Sequence, residues 1–454
     1  MAASGTPITA SGGGGRLRRW VALATSRSSA GGGRAPVLLD NALVVGGIGI
    51  LNVANYAVYV VAARMLDPDE FGGVVTLLGI ITSTAVLALA SQLVAAREAA
   101  TADSLGMPAP AASVAKHLTW RIGALAALAA GGIAVVAVTS SNAFDLDSPL
   151  PMLLAAVSSG LYIIKSMYRG AWQGARRYLR LSANYAVEGA LKLPLVWILL
   201  AMGTGASGAM AGITIALLAA AVLLIVPVWF GHGRTALPPP ERVRLVRVGL
   251  PVVMGIGGLA VLMNFDTVYV RLFLGGDESG EYGAAATLAR AVYWAPAGVA
   301  IVMLSSIARV DVGSRRPHFW FAMALAGVIA LSATVFIWAL SGPIFDTAFG
   351  DDYRDAAQYG GPMAFAGLCL ALATVSVYYG LGERRWGTLP PLLVGVATQP
   401  VLFALFHDSL GEVVAVQVGV AATTAAFVTI AALLPHRQAV THATRHEDQR
   451  SEAG

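Results

Sequence analysis

Twelve apolar stretches, each long enough to cross a lipid bilayer, take up most of this chain. A membrane-spanning helix needs about 20 predominantly apolar residues. The stretches cover residues 37–63, 74–96, 118–139, 151–168, 183–202, 208–230, 248–270, 284–308, 319–340, 361–381, 389–406 and 413–434. Because 57% of the residues are hydrophobic and only 12% are charged, the composition does not fit a globular domain folded in water around a single core. We therefore predict an all-α integral membrane protein with about twelve transmembrane helices.

The lysines and arginines test this division independently, since the cytoplasmic loops of membrane proteins carry the excess of positive charge. With a cytoplasmic N-terminus, the segments on that side hold 25 of the 30 basic residues, Lys165 and Arg169 among them. The opposite side holds Arg64, Arg271 and Arg354 among acidic loops. We therefore expect an even number of helices and two cytoplasmic termini. Adding or removing one helix would place the basic loops on both sides of the membrane and destroy this pattern.

A helical hairpin is repeated in the two halves of the chain. Its elements are an arginine, an acidic-aromatic-glycine turn and a closing arginine: Arg64, Glu70-Phe71-Gly72 and Arg97 in the first half, and Arg271, Glu281-Tyr282-Gly283 and Arg309 in the second. The glycine and the closing arginine are 25 residues apart in the first hairpin and 26 in the second. Parallel repeats of this kind are related by an axis along the membrane normal, and binding is expected between them.

The duplication predicts two six-helix bundles with short extensions. The bundles are residues 37–231 and 248–434, joined by a cytoplasmic linker at 232–247 that contains three consecutive prolines. Residues 1–36 and 435–454 are rich in small or polar residues, and such segments cannot bury enough apolar surface to fold. We expect both to be disordered cytoplasmic tails.

The sequence gives no support for an enzyme. It contains no Gly-x-x-x-x-Gly-Lys-Ser/Thr loop for nucleotide phosphates. A Gly-x-Gly-x-x-Gly match at residues 203–208 joins two predicted membrane helices, whereas a dinucleotide-binding loop joins a strand to a helix. The seven histidines are dispersed. We therefore predict no catalytic residues, no cofactor, no metal site and no nucleic-acid partner.

Four ionisable side chains lie well inside predicted helices: Glu188, Lys192, Asp266 and Arg290. An ionisable group at this depth is costly unless it is paired or faces water, so each is a functional candidate. Asn184, Glu188 and Lys192 share one helix face because they are four residues apart. Glu188 and Lys192 could form a pair that lets the helix insert. Alternatively, the same face could line an aqueous cavity, where Lys192 would offer its charge to an anionic headgroup.

Arg290 and Asp266 lie on neighbouring predicted helices and could form an ion pair. Arg290 also suits a phosphate, because its planar guanidinium donates two parallel hydrogen bonds. Asn55 and Tyr59 lie close to one face of the first helix, where they could line a cavity or bond to another helix. The candidate substrate-binding residues are Lys192, Arg290, Asn55, Tyr59 and Asn184, and the candidates for cation coupling or ion pairing are Asp266 and Glu188.

Motifs spread over the chain resemble those of one transporter family. They are the run from Asn52 to Arg97 with its Glu70-Phe71-Gly72 turn, the loop from Tyr168 to Arg176, the Asn264-Phe265-Asp266 triplet, and Leu274-Gly275 with Glu281-Tyr282-Gly283. From about residue 37 to residue 434, the chain resembles the Wzx-type polysaccharide flippases of the multidrug/oligosaccharidyl-lipid/polysaccharide (MOP) exporter superfamily. The motifs are diffuse, so they indicate the superfamily better than the substrate.

The resemblance implies a fold like that of the superfamily's MATE transporters, with two bundles around a cavity that opens alternately to each side. It implies that the cargo is an oligosaccharide linked to a polyprenyl diphosphate, moved from the inner to the outer leaflet of a bacterial plasma membrane. Lys192 and Arg290 would then screen the diphosphate, and Asp266 or Glu188 could carry a coupling cation. The expected partners are this lipid-linked glycan, membrane lipids, a polysaccharide polymerase and glycosyltransferases.

Two other functions remain open at the level of sequence. The same superfamily contains cation-coupled multidrug antiporters, and a non-transporting membrane scaffold for glycan assembly would have the same composition. An antiporter of cationic drugs would favour a cavity dominated by acidic residues, whereas Lys192 and Arg290 are basic. A scaffold would hold these two side chains in structural contacts between helices.

Overall fold

The computed structural model describes residues 34–140, 144, 146, 148–230, 242–300, 303, 312–383 and 385–434. Over these residues the chain is helical and contains no strand. The main helices are α1 (Arg34–Met65), α2 (Pro68–Ser83), α3 (Ala85–Ser104), α4 (Pro110–Ser140), α5 (Leu150–Gly174), α6 (Tyr178–Ala201), α7 (Gly205–Phe230), α8 (Arg242–Asn264), α9 (Asp266–Phe273), α10 (Gly276–Trp294), α11 (Val312–Ala339), α12 (Ala357–Gly382), α13 (Leu389–Leu405) and α14 (Leu410–Leu433).

Eleven segments of the described chain are long and apolar enough to cross a membrane. Two of them contain a break: α2 and α3 form one segment over Pro68–Ser104, and α8 and α9 form another within Leu250–Phe273. The predicted eighth span, 284–308, begins within α10, and most of its last ten residues lie outside the described part. The predicted all-α membrane fold is confirmed, and the protein is a multi-pass membrane protein. The cytoplasmic placement of the termini stays a prediction.

The start of α2 shows how the turn of the first hairpin is built. Asp67 caps the helix by accepting a hydrogen bond from the Glu70 backbone N–H at 2.8 Å. Pro68 follows at the first helical position, where its missing N–H costs nothing. Asp69 and Glu70 then place negative charge at the positive end of the helix dipole. The acidic loop sequence is therefore a helix start.

The helices pack into a first bundle, α1–α7, and a second bundle, α8–α14. In the first, α1 packs on α6, and α5 packs on both α3 and α4. In the second, α12 is central and packs on α10, α11 and α14. Contacts between the bundles run mainly from α2 to α8, α9 and α10. The two halves thus meet along the helix that follows the first hairpin turn.

Small residues allow α2 to cross the second bundle closely. A Cβ atom on Gly280 of α10 would overlap the carbonyl oxygen of Pro68, and one on Gly72 would overlap Ser279. Deeper in the membrane, a Cβ atom on Gly79 would lie 2.6 Å from the carbonyl oxygen of Asn264. These contacts close the end of the molecule that carries the acidic loops, which we call the acidic end.

Several sequence predictions concern residues that are not described. Residues 1–33 and 435–454, which make up most of the two predicted tails, lie outside the described residues. So do residues 232–241 of the predicted linker at 232–247, whose remaining residues, from Arg242 on, form the start of α8. The closing Arg309 of the second hairpin is also outside them. The domain boundaries therefore remain predictions.

Candidate functional site

A charged cluster lies in the core of the first bundle, where α5 crosses α6. Lys165 and Arg169 are one turn apart on α5, and Asn184, Glu188 and Lys192 are spaced by one turn along α6, so the two rows face each other. Each of the five residues has at most 9% of its surface exposed. We call these five residues the first polar cluster.

Glu188 is the centre of the first polar cluster. Its Oε2 atom accepts from Lys165 Nζ at 2.6 Å and from Arg169 Nη2 at 2.5 Å, while Lys192 Nζ lies 3.6 Å from its Oε1 atom. Three basic side chains thus surround one carboxylate, which gives this buried site an excess of two positive charges when all three are protonated. Buried charge is stable only when it is paired or hydrogen-bonded, so this excess requires further partners.

Neutral groups supply part of that compensation. Arg169 Nε donates to Asn184 Oδ1 at 2.7 Å, and Asn184 Nδ2 donates to the carbonyl oxygen of Ala220 at 2.7 Å. The Arg169 guanidinium lies over the Tyr185 ring, 3.8 Å from its centroid. These contacts fix Arg169 rigidly. Arg169 is therefore a structural cation, whereas Lys192 has looser contacts and lies at the edge of the cluster.

A second polar cluster lies where α9 and α10 of the second bundle meet α1. Asp266 Oδ1 accepts from the Thr267 backbone N–H at 2.8 Å, and its Oδ2 accepts from the Tyr282 hydroxyl at 3.0 Å. Arg290 Nη2 is 3.4 Å from Asp266 Oδ1, which is a long ion pair. Arg290 is 4% exposed, and its Nη1 atom is buried without a hydrogen-bond partner.

Helix α1 connects the two clusters. Asn55 Oδ1 accepts a hydrogen bond from Lys192 Nζ at 2.8 Å. One turn later on α1, Tyr59 interacts with the Arg290 guanidinium, and the Tyr56 hydroxyl is buried without a hydrogen-bond partner. Residues of α1 thus contact Lys192 of the first bundle and Arg290 of the second.

All seven candidate residues therefore fall into two neighbouring clusters joined by α1. Lys192, Asn184 and Glu188 belong to the first, Asp266 and Arg290 belong to the second, and Asn55 and Tyr59 lie on α1. Glu188 is already saturated by Lys165 and Arg169, which leaves little room for a coupling cation on its carboxylate. The roles of these residues remain proposals.

Lys165 and Arg169 are the two site residues that the sequence prediction placed wrongly. The charge count assigned them to a cytoplasmic segment, yet 0% and 2% of their surfaces are exposed. Helix α5 continues to Gly174, beyond the predicted end of the fourth span at residue 168, so both side chains remain within the bundle. Their spacing of four residues, ahead of a matching row on α6, was a signal that they share a face.

Over the part of the chain that the structure describes, no group of three or more His, Cys, Asp or Glu side chains could hold a metal ion. The carboxylates of the two clusters are instead engaged by cations and hydroxyl groups.

Comparisons with known proteins identify the fold. No family model matches the sequence, and no curated protein matches it. An inward-facing multidrug resistance MATE family transporter of the MOP superfamily matches with a TM-score of 0.68 at 14% identity, over 86% of this chain and 96% of that chain. An outward-facing one matches with a TM-score of 0.57 at 16% identity, over 89% and 94%. A MATE transporter in complex with MaL6 matches with a TM-score of 0.58 at 15% identity, over 90% and 96%.

The chain thus has the fold of the MATE transporters of the MOP superfamily, along nearly its whole described length. At identities of 14% to 16% the likeness establishes the fold alone. The cargo must be argued from the two polar clusters.

Proposed function

We propose that this protein is a transporter that flips a polyprenyl-diphosphate-linked oligosaccharide from the inner to the outer leaflet of a bacterial plasma membrane by alternating access. The observation that carries the proposal is the buried excess of positive charge between α5, α6 and α1. An anionic group that enters between the bundles would supply the missing negative charge. The diphosphate of a lipid-linked glycan is such a group.

Two cations are placed to receive the diphosphate. Lys192 is at the edge of the first polar cluster, with 11% of its side chain exposed and Asn55 as its nearest acceptor. Arg290 has a buried Nη1 atom without a hydrogen-bond partner, and its hydrogen bonds to Asp266, Thr267 and the carbonyl oxygen of Met263 are long, at 3.4 to 3.5 Å. A buried N–H group without an acceptor is costly, and a phosphate oxygen can supply one. The ligand would therefore bridge the two bundles beside α1.

The fold supports the alternating-access part of the proposal. Solved neighbours include inward-facing and outward-facing conformations, and the inward-facing one gives the higher TM-score, 0.68 against 0.57. The bundles of this chain meet at the acidic end, which the charge distribution predicts to be the outer side. An inward-facing state is what both observations favour. The glycan would enter from the cytoplasmic side, with its polyprenyl tail in the lipid.

A cation-coupled multidrug antiporter is the main alternative, because the solved neighbours are multidrug resistance transporters. The charge of the clusters argues against cationic drugs. The clusters contain four basic side chains and only two carboxylates, and such a surplus of positive charge repels a positive ligand. A non-transporting scaffold is the other alternative, and the near-complete burial of Lys192 and Arg290 favours it. The two alternatives predict different phenotypes.

The decisive experiment deletes the gene in the host and identifies the lipid-linked glycan that accumulates on the inner leaflet. The proposal expects one such glycan to accumulate, and expects the wild-type gene to restore its export. Altered drug sensitivity without glycan accumulation would instead identify the antiporter. Loss of glycan synthesis itself, as expected if a polymerase or glycosyltransferase loses its scaffold, would contradict transport.

A further inference from the structure

Two arginines of the repeated hairpins reach from their own bundle into the other one. Arg64, in the last turn of α1, donates through Nη2 to the carbonyl oxygens of Asp346 and Thr347 at 2.9 and 2.5 Å, and through Nε to that of Ala348 at 3.3 Å. These carbonyls belong to the segment between α11 and α12 of the second bundle. The first bundle is thus tied to the second at the acidic end.

Arg271, near the end of α9, makes the reverse connection. Its Nη1 atom contacts Asp69 Oδ1 at 2.5 Å, and its Nε atom donates to the carbonyl oxygen of Phe144 at 2.7 Å. Asp69 starts α2, and Phe144 lies between α4 and α5, so both acceptors are in the first bundle. Arg271 also donates to Ser279 of its own bundle at 2.9 Å, which holds the side chain extended.

The two connections follow the symmetry of the duplication. Each arginine lies near the end of the first membrane segment of its bundle; Arg64 binds the loop between α11 and α12, and Arg271 binds the loop between α4 and α5 together with Asp69 in the first turn of α2. They differ in strength, however. Arg64 is exposed and binds neutral carbonyls, whereas Arg271 is 2% exposed and binds a carboxylate. Arg271 also lines a cavity of about 350 Å³ in which most of the other lining residues come from the first bundle.

We propose that Arg64 and Arg271 form a reciprocal latch that holds the acidic end closed, with Arg271 as the stronger arm. Opening this end separates the bundles and breaks both sets of contacts together, because each arginine spans the interface. The carbonyl of Phe144 and the carboxylate of Asp69 then have to find water or another partner. The latch concerns the movement of the bundles, which rests on the proposed alternating access and is independent of the cargo.

The test measures the distance between the bundles directly. Spin labels are placed on Met202→Cys in the first bundle and Asp352→Cys in the second, both exposed positions at the acidic end, after Cys369→Ser removes the single native cysteine. Electron–electron double resonance in lipid nanodiscs then gives the distance distribution. Arg271→Gln is expected to raise the ratio of long to short distances by about tenfold or more, since a buried charge contact is lost. Arg64→Gln shifts it in the same direction by less.

Two further variants make the result unambiguous. Asp69→Asn removes the same ion pair from a side chain that is 40% exposed, so its folding is not at risk. Arg385→Gln is the matched control, because Arg385 pairs with Glu383 and the carbonyl oxygens of Ala432 and Leu434 within the second bundle. The latch is refuted if Arg271→Gln and Asp69→Asn leave the distances unchanged, or if Arg385→Gln lengthens them equally.

Discussion

The two bundles share a duplicated hairpin, yet their buried polar centres differ. In the first bundle Glu188 is held by Lys165 and Arg169 at 2.6 and 2.5 Å, with Lys192 at 3.6 Å. In the second bundle Asp266 faces Arg290 alone, at 3.4 Å. The first centre has three basic side chains around one carboxylate, and the second has one basic side chain beside one carboxylate. Several contacts, two of them short, hold the first centre rigidly. The single long contact between Arg290 and Asp266 is weaker, so Arg290 can exchange Asp266 for another acceptor more easily.

A neutral network replaces charge elsewhere in the second bundle. Gln399 and Gln417 both donate to the carbonyl oxygen of Leu262 at 3.1 Å, and Gln399 also donates to Gln417 Oε1 at 2.8 Å. Leu262 lies just before the break between α8 and α9 at Phe265. A neutral amide network thus connects α8, α13 and α14 in the core of the second bundle, whereas the buried ion pair of Asp266 and Arg290 lies near α1.

The largest effect is expected for Glu188→Gln. This change leaves three buried cations without a carboxylate, and the loss of one member of a buried charge cluster typically costs about 3–5 kcal/mol. Asp266→Asn is the matched change in the second bundle and should cost less, because its contact with Arg290 is long. Thermal unfolding of the purified variants in detergent measures both. Equal losses would remove the distinction between a rigid and a loose centre.

The next effect concerns transport. Lys192→Ala and Arg290→Ala are each expected to reduce glycan export by about tenfold or more while the protein still inserts, because each removes a cation that would contact the diphosphate. Complementation of a deletion strain measures export, and a membrane-fraction immunoblot measures insertion. Arg354→Ala is the control, since Arg354 is exposed and forms ion pairs with Asp346 and Asp351 of the same loop, outside the two polar clusters. Normal export with both cations replaced would refute the site assignment.

A smaller effect is expected for Gln399→Leu. Gln417 still donates to the Leu262 carbonyl in this variant, and the substitution removes the Gln399 Oε1 atom, which is buried without a partner. The loss of stability should stay within about 1 kcal/mol. Thermal unfolding beside Glu188→Gln provides the comparison. A loss as large as that of Glu188→Gln would show that the neutral network matters as much as the charged cluster.

The smallest effect concerns Glu281, the counterpart of Glu70 in the second hairpin turn. Burial, followed by the charges of Asp355, Glu278 and Asp277, raises the pKa of Glu281. The folded state therefore binds the proton more tightly than the unfolded state, and stability falls as pH rises through the raised pKa. Glu281→Gln should stabilise the protein slightly at neutral pH and lose this advantage in acid. Unfolding temperatures across the pH range measure it, and an advantage confined to acid would contradict the sign.

The sequence predicted the helices well because apolar length is a local property. It did not predict the break at Thr84 between α2 and α3, where Thr82, Ser83 and Thr84 donate to backbone carbonyls of their own helix and Thr82 also donates to Asn264 of the second bundle. The buried position of Lys165 and Arg169 was missed for a related reason. Both lie near the predicted end of a helix, where a cation can equally face the cytoplasm, and only the carboxylate of Glu188 on α6 decides between the two.

The hairpin arginines illustrate the same limit. The repeat identified Arg64 and Arg271 as equivalent, but their acceptors are backbone carbonyls and one carboxylate in the other bundle. Backbone acceptors have no signature in the sequence. Pairing across 127 to 284 residues of chain becomes visible only in the fold.

The central claim is that the buried basic cluster around Glu188 and the Arg290 guanidinium, whose Nη1 atom has no hydrogen-bond partner, bind a lipid-linked diphosphate. Native mass spectrometry of the purified protein, mixed with polyprenyl diphosphate or with the uncharged polyprenol, tests this claim directly. We predict that the diphosphate is retained in strong preference to the polyprenol and that Arg290→Ala lowers this preference by about tenfold or more. Equal retention of the two lipids, or an unchanged preference in Arg290→Ala, would contradict the account.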